Sequence, residues 1–513
     1  MKVLFIAIDG RRDDFLLAPS IIKTHLLEDA FLRDNFEIDI YYHTRILPEE
    51  HLSVCNNIYE QVVLIDPDIV AFSTYVWNFS AVEYISNKIK SNLNKTIIVG
   101  GPEIQQEDIK QGRFDALCSD FLIFGEGEIP FEYILKYLCN ITQIDEIPRT
   151  AYRINEKWII NNLSSPYLVD LSTPQSAYLS GNVDERILRR DNITALIETQ
   201  RGCNFKCAYC LYHKNYTSIR YRPYELVVAE IEYLYNLGVR NIRIADANFF
   251  SDKDYAISII EQLIQLNINV SLTAEVIPIS ISKEIMYTLK NYVDLGNSVT
   301  LGVGLQSINI NSLKSIRRVI SLSSFETSYN YLLDSGVTIK TDIILGLPYE
   351  TLETYEDLIN FVVEKSRVGT NFLAMALLRI LPGTDLVQIA QAEGIQIDIN
   401  DNEHFIYQTR HMPLHDLIEC LYYNAAVSRI LHTAPPMGSI LREAYFNTKD
   451  ILNISNIGLL KELIVYMKSI INLSYSNQYE EYRLLRYDYP HIRNCFLKIE
   501  DNIILDFLNN RLK

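Results

Sequence analysis

The sequence has few basic residues for its size. Its 47 Lys and Arg stand against 64 Asp and Glu, which gives a formal net charge of −17. Proteins bind nucleic-acid phosphates with clustered Lys and Arg, so this balance argues against a nucleic acid as the main partner. The sequence also lacks any run near the roughly 18 apolar residues of a membrane helix. Its first apolar stretch, Val3–Ile8, is too short for a signal peptide. We therefore expect a cytoplasmic protein with no membrane partner.

Cysteine is sparse outside one short segment. Five of the eight cysteines are scattered along the chain, as small buried residues usually are. Disulfides are not expected in a reducing cytosol. The other three, Cys203, Cys207 and Cys210, lie close together, and the next cysteine in the chain is Cys420. The cluster therefore has no fourth cysteine nearby.

The first third of the sequence alternates apolar runs with stretches of helical spacing. Such alternation indicates a parallel sheet with helices on both faces. We expect a Rossmann-like doubly wound sheet over 1–140, including one helix near 20–33. Ligands of such sheets bind beyond the carboxyl ends of the strands. In this sequence those ends carry Ser73 and the glycine turns at 100–101 and 125–127.

The rest of the chain divides into three predicted regions. Residues 141–192 have no clear periodicity and are interpreted as a linker with a short hairpin at Tyr152–Ile160. Residues 193–395 contain six predicted strand–helix units. Because eight units fill a whole barrel, six predict a partial (βα)6 TIM-type barrel with its active site at the carboxyl ends of the strands. Residues 396–513 are predicted to be mostly helical. The fold class is therefore α/β.

The cysteine cluster follows the first predicted barrel strand with the spacing Cys-x-x-x-Cys-x-x-Cys. Three thiolates can ligate three irons of a [4Fe-4S] cluster, which leaves the fourth iron open to a small molecule. A zinc site is the alternative, with His213 as a fourth ligand after Cys203, Cys207 and Cys210. Three unligated thiols are a further alternative.

The segment Thr199–Cys210 resembles the cluster loop of the radical S-adenosylmethionine (SAM) superfamily, including the aromatic Tyr209 before the third cysteine. Other barrel segments resemble the same family. They are Val303-Gly304-Leu305-Gln306-Ser307 with Leu313–Arg318, Ile343–Thr351, and Leu381-Pro382-Gly383-Thr384. The resemblance extends over about 190–395.

Residues 1–140 resemble the cobalamin-binding domain that precedes the barrel in one subclass of this family. The likeness lies in Gly100-Gly101-Pro102-Glu103 and Gly125-Glu126-Gly127-Glu128. It predicts cobalamin contacts at Ser73, Gly100, Gly101, Glu103, Gly125, Glu126 and Gly127. The pattern Asp-x-His-x-x-Gly, which supplies a histidine to cobalt in some cobalamin proteins, is absent from 1–140. Cobalamin would therefore be held without a protein histidine, or not held at all.

The resemblance also implies the cofactors and the chemistry. Cys203, Cys207 and Cys210 would hold a [4Fe-4S] cluster, and SAM would chelate its open iron. A reductant such as flavodoxin or ferredoxin would drive cleavage of SAM to a 5′-deoxyadenosyl radical. The residues expected to contact SAM are Tyr209, Asp246, Glu275, Gln306, Ser307, and Arg317 or Arg318. Asp246 departs from the Gly-Gly-Glu that the family often has there, so substrate contact is its alternative. The alternative for each polar residue is a solvated loop or a surface ion pair.

We expect a radical SAM enzyme that modifies a carbon centre of a peptide or natural-product substrate, by methyl transfer from cobalamin. The alternative reaction is inversion of an amino-acid centre in a ribosomally made peptide, with Cys420 donating the hydrogen atom. Cys420 is otherwise interpreted as a core cysteine. A protein of another class, a non-catalytic metal or cluster protein that binds a partner, is the remaining alternative.

Overall fold

The structure is a computed structural model. It describes all residues except 11–14, 47–49, 162–168, 173–174, 215–217, 319–320, 368–370, 399–402, 432–436, 472–474, 487–494, 497 and 513. Part of the predicted linker thus lies outside the described residues. The chain divides into two compact units. The first comprises Met1–Asn204, Leu211–Ala247 and Glu261–Leu272, and the second comprises Phe205–Cys210, Asn248–Ile260 and Thr273–Lys513.

The first unit contains a seven-stranded sheet. Its strands are β1 (Lys2–Ile8), β2 (Glu37–His43), β3 (Ile69–Ser73), β4 (Thr96–Gly100), β5 (Phe121–Ile123), β6 (Thr150–Ile154) and β7 (Lys157–Ile160). The sheet order is β2–β1–β3–β4–β5–β6–β7. The first five strands are parallel, whereas β6 and β7 pair antiparallel and form the predicted hairpin. This sheet therefore continues into the region predicted to be a linker.

Helices cover both faces of this sheet. They are α1 (Ala18–Glu28), α2 (Ala30–Asn35), α3 (His51–Ile65), α4 (Phe79–Leu93), α5 (Gln106–Lys110) and α6 (Glu128–Leu138). Side chains alternate along β1, so Leu4, Ile6 and Ile8 share a core cluster with α3, α4 and α5, whereas Val3 and Phe5 share one with α1, α2 and α6. The predicted doubly wound arrangement is confirmed.

The remaining elements of the first unit lie before and after the cysteine loop in the sequence. They are α7 (Glu185–Leu188), β8 (Thr194–Ile197), β9 (Gln200–Arg201), β10 (Arg220–Tyr221), α8 (Tyr224–Asn236) and β11 (Asn241–Ile244). Strand β8 pairs with β11 in parallel, and β9 pairs with β10 antiparallel. The next elements are α9 (Lys253–Gln265) and β12 (Ser271–Val276).

The second unit continues the strand–helix alternation. It contains α10 (Lys283–Asp294), β13 (Ser298–Gln306), α11 (Ile310–Ser315), α12 (Leu322–Ser335), β14 (Thr338–Leu345), α13 (Leu352–Lys365), β15 (Phe372–Leu377) and α14 (Leu386–Glu393). Strand β14 pairs in parallel with β13 and β15. The barrel sheet has six strands in the order β15–β14–β13–β12–β11–β8. Six parallel strands with intervening helices confirm the predicted partial barrel.

The C-terminal part of the second unit is mostly helical, as predicted. A short hairpin, β16 (Gln396–Ile397) and β17 (Ile406–Gln408), precedes α15 (Leu414–Leu431), α16 (Met437–Leu452), α17 (Asn456–Ile471), α18 (Gln478–Arg486) and α19 (Asp501–Arg511). Among the described residues, no helix has the length and apolar content needed to cross a bilayer.

The sequence analysis was wrong about several local elements. The single helix predicted near 20–33 is two helices, because Asp29 leaves the helical conformation and its carboxylate caps α2 by accepting from Leu32 N. Helices α3 and α16 were not predicted. Helix α3 had a usable signal, since Cys55, Ile58 and Val62 lie three or four residues apart and all face the core.

Candidate functional site

The cysteine loop begins in the first unit. Gly202 precedes Cys203 with a φ of +108°, and a Cβ at this glycine would lie 2.8 Å from the carbonyl oxygen of Ser218. Only glycine fits this position without strain. Cys203 is half-buried. His213, the fourth ligand of the zinc alternative, also lies in the first unit and is half-buried.

The second unit holds Cys207 and Cys210. The backbone between them is fixed on two sides, because Ala208 N donates to Ile316 O at 2.9 Å and Ala208 O accepts from Leu386 N at 2.9 Å. Cys207 is buried and Cys210 is half-buried, and neither of the two forms a disulfide. Burial raises the pKa of the Tyr209 phenol. Within the described part of the chain, no group of three His, Cys, Asp or Glu side chains is arranged around one metal ion.

Two adjacent arginines, both predicted to contact SAM, differ in their burial and in the groups that they contact. The buried Arg318 donates from Nη1 towards Cys207 Sγ at 3.6 Å and from Nη2 to Gly304 O at 2.9 Å. Arg317 has a φ of +55°, and its exposed guanidinium pairs with Asp385. Of these two, Arg318 is therefore the one beside the cysteine loop.

The end of β13 carries the predicted Gln306 and Ser307. The strand is bulged between Gly304 and Gln306, and Gln306 has a φ of +68°. A Cβ at Gly304 would lie 2.5 Å from Gln306 Nε2 and 2.7 Å from Arg318 Nη2, so glycine leaves room for both side chains. Ser307 is buried and donates its hydroxyl to Glu350 Oε2 at 3.0 Å.

Glu350 was missed by the sequence analysis, although it lies in the quoted segment Ile343–Thr351. Its carboxyl group is buried, and burial raises its pKa to about 7. Two hydroxyl groups donate to it, those of Ser307 and Thr354. The group therefore supports the turn that presents Gln306 and Ser307.

The predicted Glu275 belongs to a group of three charged side chains. Its Oε1 lies 2.6 Å from Lys340 Nζ, which also lies 3.4 Å from Asp342 Oδ1. Burial and the Glu275 charge raise the pKa of Asp342 to about 7. The carboxylate of Glu275 occupies the space that a Cβ on Gly302 would need. Lys340 and Asp342 were missed, although charges at alternating positions of the otherwise apolar β14 are a visible signal.

Asp246 lies in the first unit beside the strand that leads to the cysteine loop. Its buried carboxylate accepts from Thr199 N at 3.0 Å, from the Thr199 hydroxyl and from Gln200 N at 3.3 Å. Burial raises its pKa to about 7 despite these hydrogen bonds. Its observed partners are thus the residues that join β8 to β9.

A cavity of about 310 Å³ lies at the carboxyl ends of β3, β4 and β5 in the first unit. Six of the seven predicted cobalamin contacts line it: Ser73, Gly100, Gly101, Gly125, Glu126 and Gly127. The seventh, Glu103, does not line the cavity, and its carboxylate pairs with Arg113. Gly101 has a φ of +107°, and a Cβ there would lie 2.5 Å from the backbone N and O of Thr74. Because glycine has no side chain, backbone atoms form this wall of the cavity.

The polar end of the cavity is a buried ionic network. Arg201 lies 3.1 Å from Glu126 Oε2, 2.7 Å from Glu128 Oε1 and 2.8 Å from Glu198 Oε1, and Arg220 also pairs with Glu126. Glu126 Oε2 is buried and accepts no hydrogen bond within the described part of the chain. Burial raises the pKa of Glu126. The carboxylate is therefore available to a hydrogen-bond donor of a bound ligand.

Cys420 lies on α15 with no solvent exposure, and it does not line the cavity described above. Burial raises the pKa of its thiol well above the usual value. These observations match the surroundings of a core cysteine.

Comparison with known proteins gives this fold and site a class. The sequence model of the radical SAM superfamily matches residues 197–362. This segment is a radical SAM domain, and the family to which it belongs uses a [4Fe-4S] cluster and SAM. Within the second unit, the Arg318 guanidinium is placed to donate to the sulfur of Cys207.

The curated proteins similar to this chain include methyltransferases and methylthiotransferases. It is 26% identical over 320 residues to 2-(S-pantetheinyl)-carbapenam-3-carboxylate methyltransferase of Streptantibioticus cattleyicolor, an alignment that covers 58% of this chain and 45% of that protein. It is 26% identical over 349 residues to the cobalamin-dependent radical SAM methyltransferase TokK of Streptomyces tokunonensis, with coverage of 63% and 48%. The chain thus spans about half the length of these two relatives.

Solved structures show the same fold. OxsB with aqua-cobalamin and SAM bound has a TM-score of 0.65 at 15% identity, over 99% of this chain and 78% of that one. TsrM from Kitasatospora setae, with cobalamin and a [4Fe-4S] cluster bound, has a TM-score of 0.59 at 15% identity, over 76% and 75%. At these identities the likeness establishes the fold.

The first prediction concerns Gly101. Gly101→Ala should lower the free energy of unfolding by about 1–3 kcal/mol, because the new Cβ meets Thr74 backbone and φ is positive. Denaturant unfolding of the purified protein measures this. Gly181→Ala is the matched control, since Gly181 also has a positive φ but has open space around its Cβ position. Equal losses in the two variants would contradict the steric argument.

The second prediction concerns Asp246 and pH. Its pKa is raised from the usual 3.8 to about 7 in the folded protein, so folding retains a proton that the unfolded chain releases. The contribution of this group to stability is therefore full below about pH 4 and falls as pH rises towards 7. Asp246→Asn removes this dependence. The stability difference between wild type and variant should change by about 2–3 kcal/mol between pH 5 and 7.

Denaturant titrations at a series of pH values test the second prediction. Asp254→Asn, which removes an exposed carboxylate, is the control and should leave the pH dependence as in wild type. Parallel pH profiles of wild type and Asp246→Asn would show that the Asp246 carboxyl is not protonated on folding.

Proposed function

We propose that the protein is a cobalamin-dependent radical SAM methyltransferase that methylates a carbon centre of a peptide or natural-product substrate. The observation that carries the proposal is the cavity of the first unit, which is lined by six residues predicted to contact cobalamin. The glycine turns let a large ligand approach the backbone, and Glu126 offers an unused acceptor at the polar end. These features fit cobalamin, whose periphery carries many amide groups.

The cofactors would supply the difficult chemistry: the cluster and SAM generate a carbon radical, and cobalamin carries the methyl group. The chain's own residues bind and orient these groups. Cys203, Cys207 and Cys210 are assigned as iron ligands. Arg318 donates towards Cys207 Sγ and fixes the end of β13 through Gly304 O. Cobalamin would be held by backbone and side-chain contacts without a histidine of the Asp-x-His-x-x-Gly pattern.

The barrel strands of the second unit supply groups for SAM or the substrate. Gln306 and Ser307 are held at the end of β13 by the bulge and by Glu350. Glu275 on β12 and Lys340 and Asp342 on β14, the two strands that flank β13, present two carboxyl groups and one ammonium group. We assign these residues to the binding of polar groups of SAM or the substrate, and a small-molecule or peptide substrate and a protein reductant complete the proposal.

The third prediction tests the iron ligands. Cys207→Ala should prevent assembly of an intact cluster, because one of three irons loses its thiolate. After anaerobic reconstitution, iron and sulfide content should fall, and SAM cleavage should fall at least about 100-fold. Cys118→Ala, at a half-buried cysteine of the first unit, is the control. It should retain the iron and sulfide content and the SAM cleavage of the wild type. Normal SAM cleavage by the Cys207 variant would rule out Cys207 as a ligand of the cluster.

The fourth prediction tests the reaction. Protein reconstituted with the cluster, a reductant and SAM should form both S-adenosylhomocysteine and 5′-deoxyadenosine when cobalamin and a substrate are supplied. S-adenosylhomocysteine should be missing when cobalamin is withheld, because methyl transfer consumes SAM through cobalamin. Liquid chromatography with mass spectrometry quantifies both products.

Other outcomes of the same experiment favour the other reactions. 5′-Deoxyadenosine without cobalamin binding, with deuterium from heavy water at an α-carbon of a peptide, would contradict methylation and favour inversion with Cys420 as the hydrogen donor. Neither product, together with zinc in metal analysis, would favour a non-catalytic metal protein.

A further inference from the structure

Arg201 occupies an unusual position in the first unit. It ends strand β9, two residues before Cys203, and it also lines the cavity. Its side chain is only 9% exposed. The guanidinium is surrounded by carboxylates from two places along the chain. Glu126 lies in the turn after β5, Glu128 begins α6, and Glu198 follows β8.

The contacts of the guanidinium are not equivalent. Glu198 is bound by two hydrogen bonds, from Nε at 2.8 Å and from Nη2 at 3.1 Å, and Glu128 Oε1 lies 2.7 Å from Nη2. Glu126 Oε2 lies 3.1 Å from Nη1 but accepts no hydrogen bond there, while Oε1 of the same group pairs with Arg220. Glu126 is thus held at the cavity wall by its ion pairs with the two arginines, and its Oε2 can still accept a hydrogen bond.

The charges of the network make this open oxygen significant. Three carboxylates face two guanidinium groups, Arg201 and Arg220, in a buried site. A buried carboxylate oxygen that accepts no hydrogen bond is stabilised when a donor binds to it. A ligand that offers N–H groups, such as the primary amides at the periphery of cobalamin, supplies such donors. A ligand on Glu126 therefore changes the environment of Arg201 directly.

We propose that Glu126 and Arg201 couple the cavity to the cysteine loop, so that a ligand amide bound to Glu126 orders the segment that carries Cys203. Arg201 acts as a positioning residue: it touches Glu126 on the cavity side, and its backbone belongs to the strand that leads to Cys203. The coupling is reciprocal, because two binding events that favour the same arrangement strengthen each other equally. This inference rests on the proposed binding of cobalamin in the cavity.

Two measurements on the full chain test the coupling. The first is the dissociation constant of hydroxocobalamin, from absorbance titration, with and without the reconstituted iron–sulfur cluster. The second is hydrogen exchange of peptides covering 198–204, with and without hydroxocobalamin. For the wild type we expect cobalamin binding to tighten about fivefold or more with the cluster present, in the usual range of coupling between sites. Exchange in 198–204 should slow on cobalamin binding.

Variants separate coupling from simple structural support. Glu126→Gln keeps the shape of the side chain but removes its charge, and Arg201→Lys keeps the charge but removes the fork. Both should bring the ratio of the two dissociation constants close to one and leave exchange in 198–204 unchanged by cobalamin. Asp108→Asn is the matched control, since Asp108 is a buried carboxylate of the same unit that pairs with Arg113 and does not line the cavity. It should retain the wild-type ratio.

The outcomes are distinguishable. If the wild type binds no hydroxocobalamin, the proposed function fails and this inference with it. If the wild type binds cobalamin equally well with and without the cluster, or if Glu126→Gln retains the full ratio, the inference alone is overturned. Thermal unfolding of each variant shows whether it folds. Should Glu126→Gln fail to fold, Arg201→Lys decides the question by the same ratio.

Discussion

The buried guanidinium of Arg201 is the interaction on which the arrangement of the first unit depends. An uncompensated charge in a protein interior is strongly destabilising, so Arg201 requires its carboxylate partners to be in place. Those partners are Glu126 in the turn after β5, Glu128 at the start of α6, and Glu198, which follows β8. The turn after β5, which forms one wall of the cavity, and the strand that leads to Cys203 are therefore fixed by the same cation.

Asp246 reinforces the same junction from another direction. Its carboxylate binds two backbone amides and a hydroxyl at Thr199 and Gln200, directly before Arg201. A carboxyl group with a pKa near 7 in this position carries a desolvation cost that its hydrogen bonds only partly offset. Buried polar groups of this kind specify one local conformation of the backbone at the expense of stability. The segment that leads to the cysteine loop is thus defined by polar contacts.

Much of the fold could be predicted from the sequence because hydrophobic periodicity reports burial directly. The parallel sheets, the hairpin at 150–160 and the partial barrel follow from apolar runs and glycine turns. Which of two similar side chains lines the cavity could not be predicted. Glu103 and Glu126 both follow a glycine turn, yet only Glu126 lines the cavity, because Arg113 binds Glu103 elsewhere. Such pairings join residues from different elements, and a linear pattern does not contain them.

Arg317 and Arg318 illustrate the same limit at shorter range. The positive φ of Arg317 turns the backbone, so the two neighbouring guanidinium groups have different partners, Asp385 and the cysteine loop. Both arginines are visible in the sequence, but the backbone turn that separates their side chains is not. The resemblance to a family identified the segment, and the three-dimensional contacts were needed to assign the residue.

The barrel strands of the second unit extend this reasoning to the region where substrate is proposed to bind. Interior layers of TIM-type barrels are usually filled by branched apolar side chains. Here Gly302 leaves space for the Glu275 carboxylate, and Lys340 lies between Glu275 and Asp342. Lys340 and Asp342 are partly buried, whereas Glu275 is exposed, and partly buried charges cost stability that apolar packing would have provided. Local departures from stable packing are typical of functional positions. The charged side chains of β12 and β14 therefore support the proposal that these strands recognise a polar molecule.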